Sequence, residues 1–267
     1  MRAFVVALAL ALAPVPGVAQ DFEAGLAAFV NSDYATALNE WRPLAEQGNA
    51  LAQFSLGFMY HQGQGVLQDP AEAVRWTRAA AEQGHAGAQA NLGLMYRLGQ
   101  GVPQDFTEAA RWYRAAAEQG HAVAQLDLGD IYHYGNGVPQ DHVEAVRWYR
   151  LAAEQGNAGA QANLGEMYSM GVGVLRDYAE AARWNRAAAE QGNSFAQMNL
   201  GAMYAEGYGM PQDYVTAHMW LNIVASTGYR PAVAARETVA RRMTLTDISE
   251  AQRRARVCMA SNYQDCD

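Results

Sequence analysis

Six histidines, two cysteines and 27 carboxylates are the side chains of this 267-residue chain that could move protons, hold a metal or attack a substrate. Their spacing favours none of these. A zinc-protease helix needs two histidines a turn apart with a glutamate beside the first, and a structural zinc site needs closely paired cysteines. Neither pattern occurs, and Cys258 and Cys266 stand by themselves near the C-terminus. All 19 basic residues are arginine. Without lysine there is no Schiff base, no phosphate-loop amine and no serine–lysine acylation pair, because each needs an amine that can lose or share a proton; a guanidinium stays charged. Gly-x-Gly triplets such as Gly99-Gln100-Gly101 follow helical patterns rather than strands, so they fail as dinucleotide fingerprints. The expectation is no catalytic, cofactor-binding or metal-binding residue, and no cofactor. A formal charge of −8 without a basic run argues against nucleic acid or an anionic membrane as partner.

The elements that position these groups repeat. Gly48, Gly84, Gly120, Gly156, Gly192 and Gly228 fall 36 residues apart, and the first five close the tetrapeptide AEQG. A fixed period of this length predicts a solenoid of stacked units. In the unit starting at Ala86, residues Ala88, Leu92, Met95 and Tyr96 share one helical face. That helix stops in Gly99-Gln100-Gly101-Val102-Pro103. Asp105 and Glu108 then read as a capping box opening a second helix, recurring at Asp69/Glu72, Asp141/Glu144 and Asp177/Glu180. Ala109, Trp112 and Ala116 form the second helix's buried face, with Glu108–Arg111 and Arg114–Glu118 as exposed neighbours. His85 and His121, just after the repeat glycine, read as surface loop residues.

The organisation that follows is a leader at 1–19, an N-terminal capping helix pair at 20–48, five repeats at 49–228, and C-terminal capping helices with a tail at 229–267. Arg2, the apolar run Phe4 to Ala13 and the small residues Gly17-Val18-Ala19 make residues 1–19 a cleavable signal peptide. The run is shorter than the roughly 20 apolar residues that cross a bilayer, so no stable membrane insertion is expected. In an oxidising compartment Cys258 and Cys266 either pair or remain two separate thiols.

The repeating columns are packing positions, so a binding surface must lie in columns that change between copies. At about 100° per residue the first-helix face opposite the core carries Phe54, Phe58 and His61 in the first copy. The following copies place Leu94 and Arg97, then Asp130 and His133, then Glu166 there, and a flanking column adds Asn91, Asp127 and Asn163. This ladder is expected to line a groove that binds an extended segment of another protein, with basic or neutral ligands favoured near Asp127, Asp130 and Glu166. The alternative is that Phe54 and Phe58 simply pack under the N-terminal pair. If the ligand is a glycan, Tyr134 and Tyr208 are candidate stacking platforms.

Gln89, Leu92, Gly93, Met95, Tyr96, Gly99, Gly101, Val102, Asp105, Ala109 and Trp112 fit one copy of a longer motif, and comparable fits recur at Gln53, Gln125, Gln161 and Gln197. On these residues the chain resembles the Sel1-like repeat family, relatives of the tetratricopeptide repeats. The resemblance implies an all-α, right-handed superhelical solenoid of antiparallel helix pairs. It also implies a non-catalytic adaptor, often secreted or periplasmic and tied to the bacterial envelope. A cysteine-rich branch of the family is associated with β-lactam binding and hydrolysis, which keeps a β-lactam or peptidoglycan hydrolase, or a glycan-binding module, as alternatives. That branch carries a cysteine pair in every repeat, and this chain has none in its repeats.

Overall fold

The structure, a computed structural model, describes residues 18–266, so the leader expected at 1–19 lies outside the described residues except for its last two positions. The described residues form fourteen α-helices and no strand. They are α1 (Val18–Val30), α2 (Tyr34–Glu46), α3 (Ala50–Gln62), α4 (Pro70–Glu82), α5 (Ala86–Leu98), α6 (Phe106–Glu118), α7 (Ala122–Tyr134) and α8 (His142–Glu154). Then come α9 (Ala158–Met170), α10 (Tyr178–Ala189), α11 (Ser194–Glu206), α12 (Tyr214–Ala225), α13 (Arg230–Ala240) and α14 (Leu245–Ala260). The fold is an all-α helical repeat solenoid.

The chain divides after His121 into two compact units. In the first, successive helices from α1 to α6 pack on one another. In the second, α7 to α12 do the same, and both α13 and α14 then pack on α12. The repeat therefore ends in a different arrangement: Ala251, Ala255 and Cys258 of α14 close a core with Trp220, Ile223 and Leu200.

Two kinds of cap start the helices. Asp69, Asp105, Asp141, Asp177 and Asp213 precede the second helix of each repeat, and each carboxylate accepts two backbone N–H groups of the first turn. This satisfies donors that a helix start leaves unpaired. The reciprocal half of the expected capping box is absent in the Asp105 copy. Glu108 instead takes Arg111 in a fork, with Nη2 to Oε2 at 2.7 Å, and Glu72 and Glu180 do the same with Arg75 and Arg183. A charge-assisted, two-pronged pair outcompetes a reach back to one amide. The same arginines lie over the neighbouring tryptophans, Arg75 4.0 Å above Trp76 and Arg111 4.1 Å above Trp112, which accounts for the Glu-x-x-Arg-Trp order.

Asn49, Asn157 and Asn193 cap first helices. His85 does the same job rather than sitting idle in a loop: its Nδ1 accepts the Ala88 N–H at 3.0 Å. Arg78 and Arg150 reach to the next repeat and donate to the Tyr96 and Tyr168 hydroxyls at 2.7 Å.

Two glutamines per repeat form a polar link inside the stack. The buried Gln53 and Gln89 donate to the Ala45 and Ala81 carbonyls, and accept from Gln83 and Gln119 at 2.7 Å. A buried amide left unpaired costs about 1–3 kcal/mol, so the glutamine of each of these AEQG segments and that of the first helix before it depend on each other. The second glycine of the Gly-x-Gly loop is fixed by contact as well as by backbone angle at Gly65, Gly101, Gly173 and Gly209. At Gly101, φ is +74° and a β-carbon would run into the Pro70 carbonyl.

Candidate functional site

In the first unit, four of the variable-column residues meet around one opening. Phe58, His61, Asn91 and Leu94 line a cavity of about 150 Å³ between α3, α4 and α5, with Gly57 and Thr77 at its floor. The four are half-buried. Phe54 does not join them. It is 5% exposed, belongs to the core around Ala80, Leu92 and Trp112, and lies 4.7 Å from the His85 ring. The expectation that Phe54 lines a groove is therefore corrected: its position on α3 carries it beneath the next repeat, where a large apolar ring gains most from burial. Phe58 meets Phe29 of α1 edge-on at 6.0 Å, so the alternative of packing under the N-terminal pair holds for part of its ring. Arg97 points to its own repeat, with Nε donating to the Tyr113 hydroxyl at 3.2 Å.

In the second unit the column is more polar and more internally bonded. Asp130 accepts from the Tyr149 hydroxyl at 2.8 Å and from Asn163 Nδ2 at 3.2 Å. Burial, and then the Asp130 charge, push the Tyr149 phenol well above its usual range, so it stays a donor. His133 lies 4.7 Å from the Tyr134 ring and 5.0 Å from that of His142. Asp127 and Glu166 are half-buried. The Glu166 carboxylate makes no hydrogen bond or ion pair among the described residues. Among the described residues no group of three or more histidine, cysteine or acidic side chains could hold a metal ion.

The proposed glycan platforms differ from each other. Tyr134 is exposed, whereas Tyr208 is stacked on Tyr178 at 4.8 Å, so one of its faces is taken. Cys258 and Cys266 are joined as a disulfide, their Cα atoms 4.4 Å apart. No described helix is long and apolar enough to cross a membrane.

Gly57 and Thr77 lie outside the variable first-helix column, yet they shape the opening. Their signal in the sequence is the residue after each repeat tryptophan. It reads Thr77, Tyr113, Tyr149, Asn185 and Leu221, and each stands opposite a glycine: Gly57, Gly93, Gly129, Gly165 and Gly201.

The family model described as Sel1 repeat matches residues 50–85, 86–121, 122–157, 158–193 and 194–226. Among solved structures, a Sel1 repeat protein from Oxalobacter formigenes is 36% identical, with a TM-score of 0.75, covering 81% of this chain and 86% of its own. A protective antigen of uropathogenic Escherichia coli strains that displays an SLR fold is 26% identical, with a TM-score of 0.51, covering 92% of this chain and 70% of its own. No curated protein matches.

Proposed function

The chain belongs to the Sel1 repeat family, whose fold is typical of protein–protein interaction scaffolds, and on that premise we propose that it is a non-catalytic scaffold binding an extended segment of a partner protein along its first-helix face. The observation that carries this is the contrast between columns. Leu92, Leu128 and Leu164 repeat and are fully buried, whereas Phe58, Leu94, Asp130 and Glu166 change at each step and stay half-buried. Side chains that differ from repeat to repeat on one face are what a solenoid needs to read a partner along its length.

The face is apolar and aromatic at Phe58 and Leu94, and acidic at Asp127, Asp130 and Glu166. The first unit's part of the face therefore suits an apolar stretch, and the second unit's part suits a basic or neutral one. We place the protein in the bacterial periplasm or outside the cell, in keeping with the leader pattern and with a disulfide, which persists in oxidising compartments.

Crosslinking of the tagged full chain in cells, followed by affinity measurement with the captured partner, tests this reading. E166R is expected to weaken binding of a basic segment by about tenfold, one rim charge reversed. An affinity unchanged by E166R and by H61A together removes the face assignment. Amino-terminal sequencing of the exported protein, with Gln20 as the expected first residue, tests the location.

A further inference from the structure

The five repeats are five versions of one packing problem, and the first has an unfilled place. In the second repeat the ring of Tyr113 is fully buried and lies so close to Gly93 that a β-carbon there would sit 2.9 Å from it. In the third, within the other unit, Tyr149 lies against Gly129 in the same way, with 2.6 Å to a β-carbon. Tyr113 packs its ring against α5, and Tyr149 fills the space between α7 and α9. In the first repeat the equivalent residue is Thr77, 1% exposed and directly against Gly57. Threonine ends where the tyrosine ring would begin, and the cavity of about 150 Å³ lies there. Its lining mixes apolar side chains, Phe58, Leu94 and Met95, with polar ones, and its volume is of the order that takes a benzene ring.

The positions around the cavity correspond to those around the two tyrosines, with asparagine kept at Asn91 and the other residue types changed. Tyr113 places its hydroxyl at Arg97, and the residue one repeat earlier is His61. Tyr149 places its hydroxyl at Asp130 and beside Asn163, and the corresponding residues are Phe58 and Asn91. His61 and Asn91 both line the cavity, as do the exposed Gln62 and Gln100 at its solvent side. An incoming phenol thus meets apolar contact along its ring from Phe58, Leu94 and Met95, and polar partners at its tip. Threonine closes the floor from below, so the ring enters from the first-helix face.

We propose that this cavity is a receptor for a tyrosine side chain of the partner segment, supplied from outside where the second and third repeats supply their own. This rests on the reading of the first-helix face as the partner-binding surface, and deepens it by naming an anchor. A single aromatic side chain seated in a desolvated pocket is the commonest form of a binding hot spot.

The test uses p-cresol, the tyrosine side-chain analogue, titrated into the full mature chain with NMR detection. Saturable shifts confined to Thr77, Gly57 and Met95 are expected, with a dissociation constant on the order of 1 mM for so small a ring. T77Y, which copies the second and third repeats, should fill the cavity and weaken p-cresol by about tenfold or more without loss of helicity. If T77Y does not fold, L94W, at the rim, obstructs the mouth instead and should have the same effect on p-cresol. No saturable shift, or equal binding by the filled variant, overturns the site. With the captured partner, T77Y should cost about tenfold or more, and a tyrosine should lie in the protected segment. A partner indifferent to T77Y but weakened by E166R overturns the tyrosine anchor and leaves the face standing, whereas a partner indifferent to both overturns the face.

Discussion

In the second repeat the place opposite Gly93 is filled by the buried ring of Tyr113, its hydroxyl against Arg97. In the first repeat the same place opposite Gly57 holds Thr77, and a cavity of about 150 Å³ remains. The capping and ladder residues around both are alike: an aspartate starts α4 and α6, and a glutamine pair links the layers. The frame therefore does not depend on the ring. Caps, glutamines and the leucine and tryptophan columns set the spacing of the helices. What stands opposite the first-helix glycine then decides whether that spacing encloses packed side chain or accessible space. A repeat can acquire a pocket by shortening one residue without redrawing its backbone.

The widest test of this contrast is to empty the filled repeat. Y113A removes a fully buried aromatic ring and should destabilise the protein by about 3–5 kcal/mol, the usual range for large aromatic truncations. Urea denaturation followed by circular dichroism measures it. A loss below about 1 kcal/mol would mean that the space collapses when vacated, and that the cavity at Thr77 is not a stable property of the frame.

Y149F is a finer cut in the other unit. It keeps the ring and removes the hydroxyl that donates to Asp130. Asp130 retains the Asn163 contact, so the expected cost is one hydrogen bond to a charged acceptor, about 1.5–3 kcal/mol. Y149F losing as much as Y113A would show that the polar tip, rather than the ring, is what the position requires. Filling the empty repeat should act in the opposite direction: T77Y is expected to stabilise by about 0.5–2 kcal/mol, as cavity filling commonly does. A destabilised but folded T77Y would show that the space differs in shape from the one around Tyr113.

What the sequence reveals here follows from what is repeated. Gly84, Asp105, Trp112 and Leu92 recur at fixed intervals because they solve backbone and packing demands that are the same in each copy, so a single sequence acts as its own set of examples. Spacing alone reads Glu108 as half of a capping box, because it identifies neighbours on a helix and does not rank a guanidinium three residues ahead against an amide three behind. Phe54 was assigned to an open face because a helical wheel divides one helix into two sides, whereas a stacked helix is covered from several directions, here by His85 and the core around Leu92. Thr77 was legible only as a departure within a column, and that column becomes meaningful once Gly57 is known to lie opposite it.

The smallest expected effect concerns the cap that differs from its counterparts. His85 holds the position that asparagine holds at Asn49 in the preceding repeat, and its Nδ1 must be unprotonated to accept the Ala88 N–H. Burial lowers its pKa, and the nearby His121, itself lowered by burial, adds to this. The folded value thus lies below the unfolded one of about 6.5, and the unfolded chain binds the proton first. The stabilisation is complete above about pH 6.5 and is lost as pH falls from there through the folded value. H85N replaces a titrating cap with one that does not titrate, while keeping a side-chain oxygen for the same amide. Between pH 7.5 and 5 the melting temperature of the wild type should fall more steeply than that of H85N, with the remaining slope shared by His121 and by His218, also lowered by burial. At pH 7.5 the two proteins should agree to within about 0.5 kcal/mol, asparagine being among the best caps. Identical slopes would show that His85 keeps its cap by another route, such as rotation of the ring against Phe54. The first repeat boundary would then be no more sensitive to acid than those capped by Asn157 and Asn193.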